Sequence, residues 1–104
     1  MSLNIFITGA SSGIGESLAY YYSQKGFTIG LVARRKDRLQ SVSNKCKELG
    51  GNPIHYNIDV SDRNKCKNII EKFLSITKSV DIVIANAGVG GEDNILSGDP
   101  SELN

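Results

Sequence analysis

Short apolar segments alternate with longer amphipathic ones along this sequence. The apolar segments have the length of single strands and contain much Ile, Val and Phe, which favour β-structure. The first, second and fourth are apolar on both faces, as in Ile82-Val83-Ile84. Strands buried on both sides are typical of a parallel sheet that is covered by helices above and below. The predicted strands are Asn4–Thr8, Phe27–Ala33, Pro53–Asn57 and Val80–Asn86.

The segments between these strands repeat their apolar residues at helical spacing and predict three helices, over about 13–25, 36–49 and 62–77. Gly26 and Gly50 are stop signals for the first two, and Ser61 is the expected N-cap of the third. Tyr20 and Tyr21 are expected to point outward. The expected buried stripes are Ile14, Leu18, Ala19 and Tyr22, then Leu39, Val42, Cys46 and Leu49, then Cys66, Ile69, Ile70, Phe73 and Leu74.

This βαβαβαβ order predicts an α/β fold. Crossovers between parallel strands are right-handed, so the expected strand order is 3-2-1-4. That order is the N-terminal half of a Rossmann-type doubly wound parallel sheet. We expect residues 1–104 to be one incomplete domain, because the apolar strand at 80–86 is a poor sheet edge.

Both ends of the chain are expected to lie outside this pattern. Residues 1–3 are interpreted in part as an expression remnant, since Asn4-Ile5-Phe6 is a suitable natural start. Residues 89–104 are rich in Gly and predict a flexible tail, with Asp99-Pro100 opening a further helix. The sequence is therefore interpreted as a piece of a larger protein.

Composition excludes several classes of function. The net charge of +1 disfavours a nucleic-acid-binding protein, which needs a basic patch. No apolar run approaches the ~18 residues of a membrane span, and Asn4 and Thr8 interrupt the run that a signal peptide needs. Two Cys do not make a disulfide framework. We expect a cytoplasmic protein that binds neither nucleic acid nor membrane.

A Gly-rich segment follows the first predicted strand and opens the first predicted helix. Free N–H groups and the helix dipole at a helix N-terminus bind anions, and glycines let a pyrophosphate approach the backbone. The two Ser hydroxyls are further donors. A Gly-rich turn without a ligand is the alternative, which the strand–turn–helix context disfavours. The segment is Thr8, Gly9, Ala10, Ser11, Ser12, Gly13, Ile14 and Gly15.

The glycine spacing G-x-x-x-G-x-G resembles the first turn of the short-chain dehydrogenase/reductase family, T-G-x-x-x-G-I-G. Three later segments agree: Ala33-Arg34-Arg35, Asp59-Val60 and Asn86-Ala87-Gly88, each at a strand end. Ala85 replaces the first Asn of the family's N-N-A-G. The resemblance covers about residues 4–88. It implies the dinucleotide-binding part of an enzyme that moves a hydride between a nicotinamide and a carbonyl or alcohol.

The end of the second strand indicates which cofactor binds. An acidic residue about 20 positions after the glycines binds the ribose 2′-OH of NAD, and by resemblance Ala33 occupies the position of that acid. Arg34 and Arg35 offer guanidinium groups to a phosphate. NADP(H) is therefore favoured over NAD(H), which stays an open alternative. In the other interpretation these arginines are a solvated charge run.

The resemblance also implies roles after the third and fourth strands. Asp59 would bind near the adenine amino group and Val60 beside the ring, or Asp59 caps the following turn. Asn86 resembles the structural Asn that ties neighbouring strands together. Ala87 and Gly88 would let the backbone pass close to the nicotinamide ribose.

Other chemically suggestive residues are expected to be structural. Tyr21 and Lys25 have the spacing of the family's catalytic Tyr-x-x-x-Lys, but the family's pair lies beyond the fourth strand. Cys46 and Cys66 fall on apolar stripes and are expected in the core. His55 is expected to be at the surface or hydrogen-bonded, and no C-x-x-C or His cluster indicates a metal.

No catalytic residue is assigned. We interpret the chain as the N-terminal part of an NADP(H)-dependent short-chain oxidoreductase that acts, when complete, on a small-molecule substrate as a homo-oligomer. Two alternatives stay open: a truncated, non-catalytic nucleotide-binding module, and a half that needs a partner chain to cover the fourth strand. In each case the isolated 104 residues are expected to be inactive.

Overall fold

The computed structural model describes residues 2–86, which form a four-stranded parallel sheet with three helices. The strand order β3-β2-β1-β4 confirms the predicted topology. The predicted tail over 89–104 lies outside the described residues. The elements are β1 (Asn4–Thr8), α1 (Gly13–Gln24), β2 (Thr28–Ala33), α2 (Lys36–Glu48), β3 (Asn52–Asn57), α3 (Arg63–Thr77) and β4 (Ile82–Ala85).

One face of the sheet is covered by α1 and α2. Ile5 and Ile7 of β1, with Ile29 and Leu31 of β2, point to this face and are inaccessible to solvent. Burying one such side chain contributes roughly 1.5–3 kcal/mol, and among the described residues this cluster holds more buried residues than the cluster on the opposite face. The helices add Ala19, Leu39, Val42 and Cys46, which confirms the expected burial of these four residues.

The opposite face packs against α3 through two aromatic rings. The ring centroids of Phe6 and Phe73 lie 5.3 Å apart, and both side chains are buried. Gly30 of β2 makes room for them, because a Cβ there would lie 2.8 Å from the Phe6 ring and 2.9 Å from the Phe73 ring. Val32 and Ile69 complete this cluster. A glycine in a central strand therefore sets how closely α3 approaches the sheet.

The predicted stripe of α1 is wrong at its first position. Ile14 is 69% exposed, whereas Gly15 is buried. A Cβ at Gly15 would lie 2.8 Å from the side-chain nitrogen of Asn86, so the glycine faces the strand ends. Tyr20 also differs from its predicted outward orientation, since its ring packs against the core and its hydroxyl donates to Glu16 at 2.9 Å. Burial and that carboxylate raise the pKa of Tyr20 to about 12.

The predictions for the other two tyrosines of α1 are confirmed. Tyr22 packs against the core beside Phe27, with their ring centroids 6.1 Å apart. Tyr21 is 52% exposed, and the Lys25 ammonium lies 4.9 Å from its ring centre. At 1.5 Å per residue, Tyr21 lies roughly 12 Å along α1 from Gly13. The Tyr-x-x-x-Lys spacing is thus a cation–π pair on the helix surface.

The N-cap of α3 is Asp62 rather than the predicted Ser61. The Asp62 carboxylate accepts a hydrogen bond from the backbone N–H of Lys65 at 3.1 Å. Ser61 donates its own backbone N–H to the Asp59 carboxylate at 2.9 Å. The charged cap is favoured because an anion interacts well with the positive end of the helix dipole.

The predicted stripe of α3 is only partly buried. Ile70 and Leu74 are each 38% exposed, and Cys66 is half-buried rather than in the core. The fourth strand is shorter than predicted, and Val83 on it is 65% exposed. No element among residues 2–86 covers this surface. Several apolar side chains of α3 and β4 are therefore left exposed by the described part of the chain.

Candidate functional site

The carboxyl ends of the four strands form one edge of the sheet, and the predicted site residues lie along it. The β1–β4 pairing ends at Thr8 and Ala85, and the β2–β3 pairing ends at Ala33 and Asn57. Strands β2 and β3 lie on one side of β1 and β4 on the other, so the strand order reverses beside β1. Open parallel sheets bind ligands in the crevice at such a reversal.

The turn between β1 and α1 depends on its glycines for two different reasons. Gly9 and Gly13 have φ values of +65° and +56°, which glycine adopts readily. A side chain at Gly9 would also collide with the backbone carbonyl of Asn86, and one at Gly15 would collide with the carbonyl of Gly9. The space beside Gly13 is open. Two glycines thus permit close packing, and the third leaves room at the helix start.

Among the described residues, the first N–H groups of α1 have no hydrogen-bond acceptor. Ser12 is the N-cap in extended conformation, and its side chain makes no capping hydrogen bond. The first N–H groups of a helix have no intrahelical acceptor, so those of Gly13, Ile14 and Gly15 are available to a ligand. Ser11 and Ser12 place their hydroxyl groups in the same turn. This arrangement suits an anion such as a phosphate.

Side chains from distant parts of the sequence hold the carbonyl groups of this turn. The Asn86 amide donates to the carbonyl of Gly9 at 3.0 Å and to that of Ser12 at 3.4 Å. The Arg38 guanidinium donates to the carbonyl of Ser11 at 2.8 Å and 3.2 Å. These contacts fix the turn through its acceptors. Within residues 2–86 the Ala10 N–H donates to the Val32 carbonyl at 3.0 Å, whereas the first N–H groups of α1 make no hydrogen bond.

Sequence reasoning did not identify Arg38. Its guanidinium also forms an ion pair with Glu16 at 2.9 Å, and Glu16 accepts a hydrogen bond from Tyr20. The network therefore joins the first turn of α2 to the Gly-rich turn and to α1. A signal was present, since Arg38 follows a predicted helix start by two residues, but its partner depends on the packing of α2 beside α1.

The end of β2 carries exposed basic side chains. Arg34 and Arg35 are both exposed. Exposure agrees with both interpretations of these arginines, as phosphate ligands or as a solvated charge run. The Arg34 guanidinium lies 3.9 Å from the Asp59 carboxylate, with the two side chains 58% and 50% exposed. A contact this long and this exposed contributes little to stability. The Arg34 side chain is therefore accessible to an anionic group.

Asp59 is held by its own turn. Its carboxylate accepts a hydrogen bond from the backbone N–H of Ser61, as the capping interpretation predicts. The backbone carbonyl of Asp59 accepts a second one from the N–H of Asp62 at 3.0 Å. The Ser61 hydrogen bonds, and to a lesser degree Arg34, hold the pKa of the Asp59 carboxyl below its ordinary value. Because its pKa is lowered, Asp59 remains a charged group at the edge of the sheet.

A second residue that sequence reasoning missed is Asn57, the last residue of β3. Its amide nitrogen donates to the carbonyl of Ala33 at 3.0 Å and to the carbonyl of Arg34 at 2.8 Å. No motif marks Asn57, because its function follows from the pairing of β3 with β2. It fixes the backbone at the point where β2 ends.

Two apolar side chains are exposed beside these polar groups. Val60 follows Asp59 and is 40% exposed, and Ile14 is exposed at the start of α1. Ala87 and Gly88, which were also predicted to bind cofactor, lie outside the described residues. The structure thus brings together the Gly-rich turn, Arg34, Arg35, Asp59, Val60 and Asn86 along one edge.

The remaining His, Cys, Asp and Glu side chains of the described residues are the candidates for a metal site. Within residues 2–86 no three His, Cys, Asp or Glu side chains cluster as metal ligands would. His55 is exposed and its ring nitrogen lies 3.1 Å from the Ser43 hydroxyl, as predicted for a hydrogen-bonded surface histidine. Over the same residues no helix is both long and apolar enough to span a membrane.

Solved structures share this fold. A short-chain type dehydrogenase/reductase from Mycobacterium marinum superposes with a TM-score of 0.78 at 29% identity, over 97% of this chain and 40% of that one. A metagenomic short-chain oxidoreductase in complex with NADP has a TM-score of 0.74 at 25% identity, over 80% and 38%. The NADH-dependent reductase A1-R′ complexed with NAD has a TM-score of 0.72 at 24% identity, over 82% and 36%. Proteins of this fold thus hold either dinucleotide.

Comparison by sequence also gives dehydrogenases. The 11-beta-hydroxysteroid dehydrogenase-like 3 of Arabidopsis thaliana is 48% identical over 86 residues, which are 82% of this chain and 28% of that protein. The chain thus spans little more than a quarter of the length of this relative. The sequence model described as short chain dehydrogenase matches residues 3–104. The chain belongs to the short-chain dehydrogenase family.

Proposed function

We propose that the chain is the cofactor-binding part of an NADP(H)-dependent oxidoreductase that acts on a carbonyl or alcohol. The observation that carries the proposal is the pairing of two features at one sheet edge. One is a Gly-rich turn at which, among residues 2–86, the first three N–H groups of α1 make no hydrogen bond, and the other is Arg34, exposed at the end of β2. Ala33 stands beside it, where a carboxylate would repel a 2′-phosphate.

The residues of this edge fit a dinucleotide. The N–H groups of Gly13, Ile14 and Gly15 would hold the pyrophosphate, with the hydroxyl groups of Ser11 and Ser12 as further donors. The nicotinamide of the bound cofactor supplies or accepts the hydride. All contributions of the described residues are to binding and orientation.

The charged residues would hold the adenosine half. Arg34 and Arg35 would bind the 2′-phosphate, because guanidinium groups form paired hydrogen bonds with phosphate oxygens. Asp59 would meet the adenine amino group, and Val60 offers an exposed apolar contact to the ring. Ala87 and Gly88 would lie near the nicotinamide ribose.

The whole protein is proposed to act on a small molecule, as a homo-oligomer in the cytoplasm. Both cysteines are free thiols, which is typical of a reducing compartment. The apolar surface at Ile70, Leu74 and Val83 supports the presence of further protein over α3 and β4. The 104-residue chain alone is proposed to be inactive, because its Tyr21–Lys25 pair lies away from the strand ends.

Affinity measurements test the cofactor preference. We expect the protein to bind NADPH more tightly than NADH, and Arg34→Ala to weaken NADPH binding about 10–100-fold while NADH changes less than about 2-fold. Lys47→Ala is the matched control, because it removes an exposed positive charge near the C-terminus of α2, whereas Arg34 precedes the N-terminus of that helix. Equal affinities in the wild type, or tighter NADH binding, contradict the proposal.

A second candidate is a nucleotide-binding module without catalysis. The observation that favours it is that, in residues 2–86, a Tyr–Lys pair occurs on the surface of α1 and not at the strand ends. Both candidates predict no turnover by the purified 104-residue chain, so the complete protein distinguishes them. Consumption of NADPH by the complete protein with a panel of carbonyl compounds supports the oxidoreductase, and binding of NADPH without consumption supports the module. Turnover by this chain alone contradicts both the second candidate and the proposed inactivity.

A further inference from the structure

The backbone that carries Arg34 is anchored by a single side chain. The β2–β3 pairing ends at Ala33 and Asn57, so the carbonyl of Arg34 lies beyond the last paired residue. The Asn57 amide supplies the missing donor: its nitrogen reaches the carbonyl of Ala33 at 3.0 Å and that of Arg34 at 2.8 Å. Each hydrogen of one NH₂ group can thereby serve one carbonyl.

This anchor matters because the Arg34 side chain is otherwise loosely held. Within residues 2–86 its guanidinium makes no hydrogen bond, and its contact with Asp59 is 3.9 Å long. A flexible arginine loses rotamer freedom when it binds an anion, whereas a fixed backbone reduces the freedom that must be lost. The direction in which the Arg34 side chain leaves the chain is set by the two peptides that Asn57 holds.

We infer that Asn57 is a positioning residue for the selection of NADPH over NADH. It acts through Arg34: the amide fixes the peptides on both sides of the Arg34 α-carbon, and the guanidinium is thereby held where a ribose 2′-phosphate would lie. Asn57 itself needs no contact with the cofactor. The inference rests on the proposed function, since it assumes that Arg34 meets the 2′-phosphate.

The inference predicts a change in selectivity. Asn57→Ala should weaken NADPH binding by the complete protein about 10-fold and leave NADH binding within about 2-fold. Asn57→Ser, whose hydroxyl is too short to reach the two carbonyl groups, should change the ratio of the two dissociation constants in the same direction. Asn52→Ala is the matched control, because Asn52 is an exposed asparagine at the other end of the same strand, away from Arg34. It should leave the ratio unchanged.

A double variant tests the route of the effect. In an Arg34→Ala background, Asn57→Ala should leave the ratio of the NADPH and NADH dissociation constants unchanged within about 2-fold, because the group through which it acts is gone. Thermal unfolding of each variant reports whether it is folded. If Asn57→Ala does not fold, Asn57→Ser is used in its place.

Three results overturn the inference: an unchanged ratio in Asn57→Ala and Asn57→Ser, equal losses for both cofactors, or a further fall of the ratio in the Arg34→Ala background. A wild-type protein that does not prefer NADPH overturns the proposed function as well. A wild type that prefers NADPH, together with an unaffected Asn57→Ala, overturns the inference alone.

Discussion

The turn between β1 and α1 exposes backbone N–H groups at the start of a helix, whereas the turn between β2 and α2 exposes charged side chains. In the first, Gly9 and Gly15 allow the backbone to pack against the end of β4, and Asn86 and Arg38 hold its carbonyl groups. In the second, Arg34 is exposed and its nearest charged partner is 3.9 Å away. One turn is tightly fixed, and the other keeps its charged groups accessible.

We therefore expect the two turns to have different functions in cofactor binding. In the proposed function, backbone N–H groups would bind the pyrophosphate that NADH and NADPH share, so the first turn should set affinity for both. Guanidinium groups would bind the one phosphate that distinguishes them, so the second turn should set selectivity. Changes in the first turn should therefore lower both affinities together, and changes in the second should alter their ratio.

The largest effect is expected from Gly9→Ala. The new Cβ would collide with the Asn86 carbonyl at a φ of +65°, so binding of both cofactors should fall more than about 100-fold, with a lower unfolding temperature. Gly26→Ala is the control, because Gly26 has a φ of +79° but its Cβ would collide with nothing, its nearest neighbour being the Gly50 carbonyl oxygen at 3.9 Å. Calorimetric titration and thermal unfolding measure both quantities. If the two variants behave alike, backbone conformation alone, and not close packing, explains Gly9.

A smaller effect is expected from Arg38→Met. Loss of the hydrogen bonds to the Ser11 carbonyl and to Glu16 should loosen the Gly-rich turn and lower the affinity for both cofactors by about 3–10-fold. The effect is limited because the Arg38 side chain is 46% exposed. Lys36→Met, an exposed cation two residues earlier, should change neither affinity. A selective loss of NADPH would place Arg38 with the second turn instead.

The smallest effect concerns Asp59 and depends on pH. Since the folded state holds the pKa of the Asp59 carboxyl below 3.8, its ionised form stabilises the turn above that pH. This contribution is lost as the pH falls below about 4, through the lower folded-state pKa. The stability difference between wild type and Asp59→Asn should therefore be constant from about pH 5 to 8 and shrink in acid. Urea unfolding at several pH values measures it, and a difference that grows in acid would contradict this cause.

The strands, their order and the Gly-rich turn were predictable because each is encoded locally. The alternation of apolar runs with helical spacing fixes the elements, and the handedness of crossovers fixes the order. The errors arose where a local pattern met a particular neighbour. Ile14 fits the helical stripe, yet Gly15 faces the strand ends, and Ser61 is an acceptable cap, yet Asp62 is the better one.

The supporting contacts of the site were not predictable in the same way. Arg38 and Asn57 have no motif, because a charged residue in a helix start or an asparagine at a strand end is common. Their partners, Ser11 and Arg34, are 27 and 23 residues away in sequence. Asn86, by contrast, was expected to tie strands together, and its bond to Gly9 crosses from β4 to the turn after β1.

By itself the sequence determined that this chain forms a parallel α/β sheet with a Gly-rich turn after the first strand and two arginines at the end of the second. Short-range periodicity and glycine conformation suffice for that. The tertiary structure alone decided which side chains hold those turns in place. Hydrogen bonds between residues far apart in sequence depend on strand register and helix packing, which bring Asn57 to Arg34 and Arg38 to Ser11.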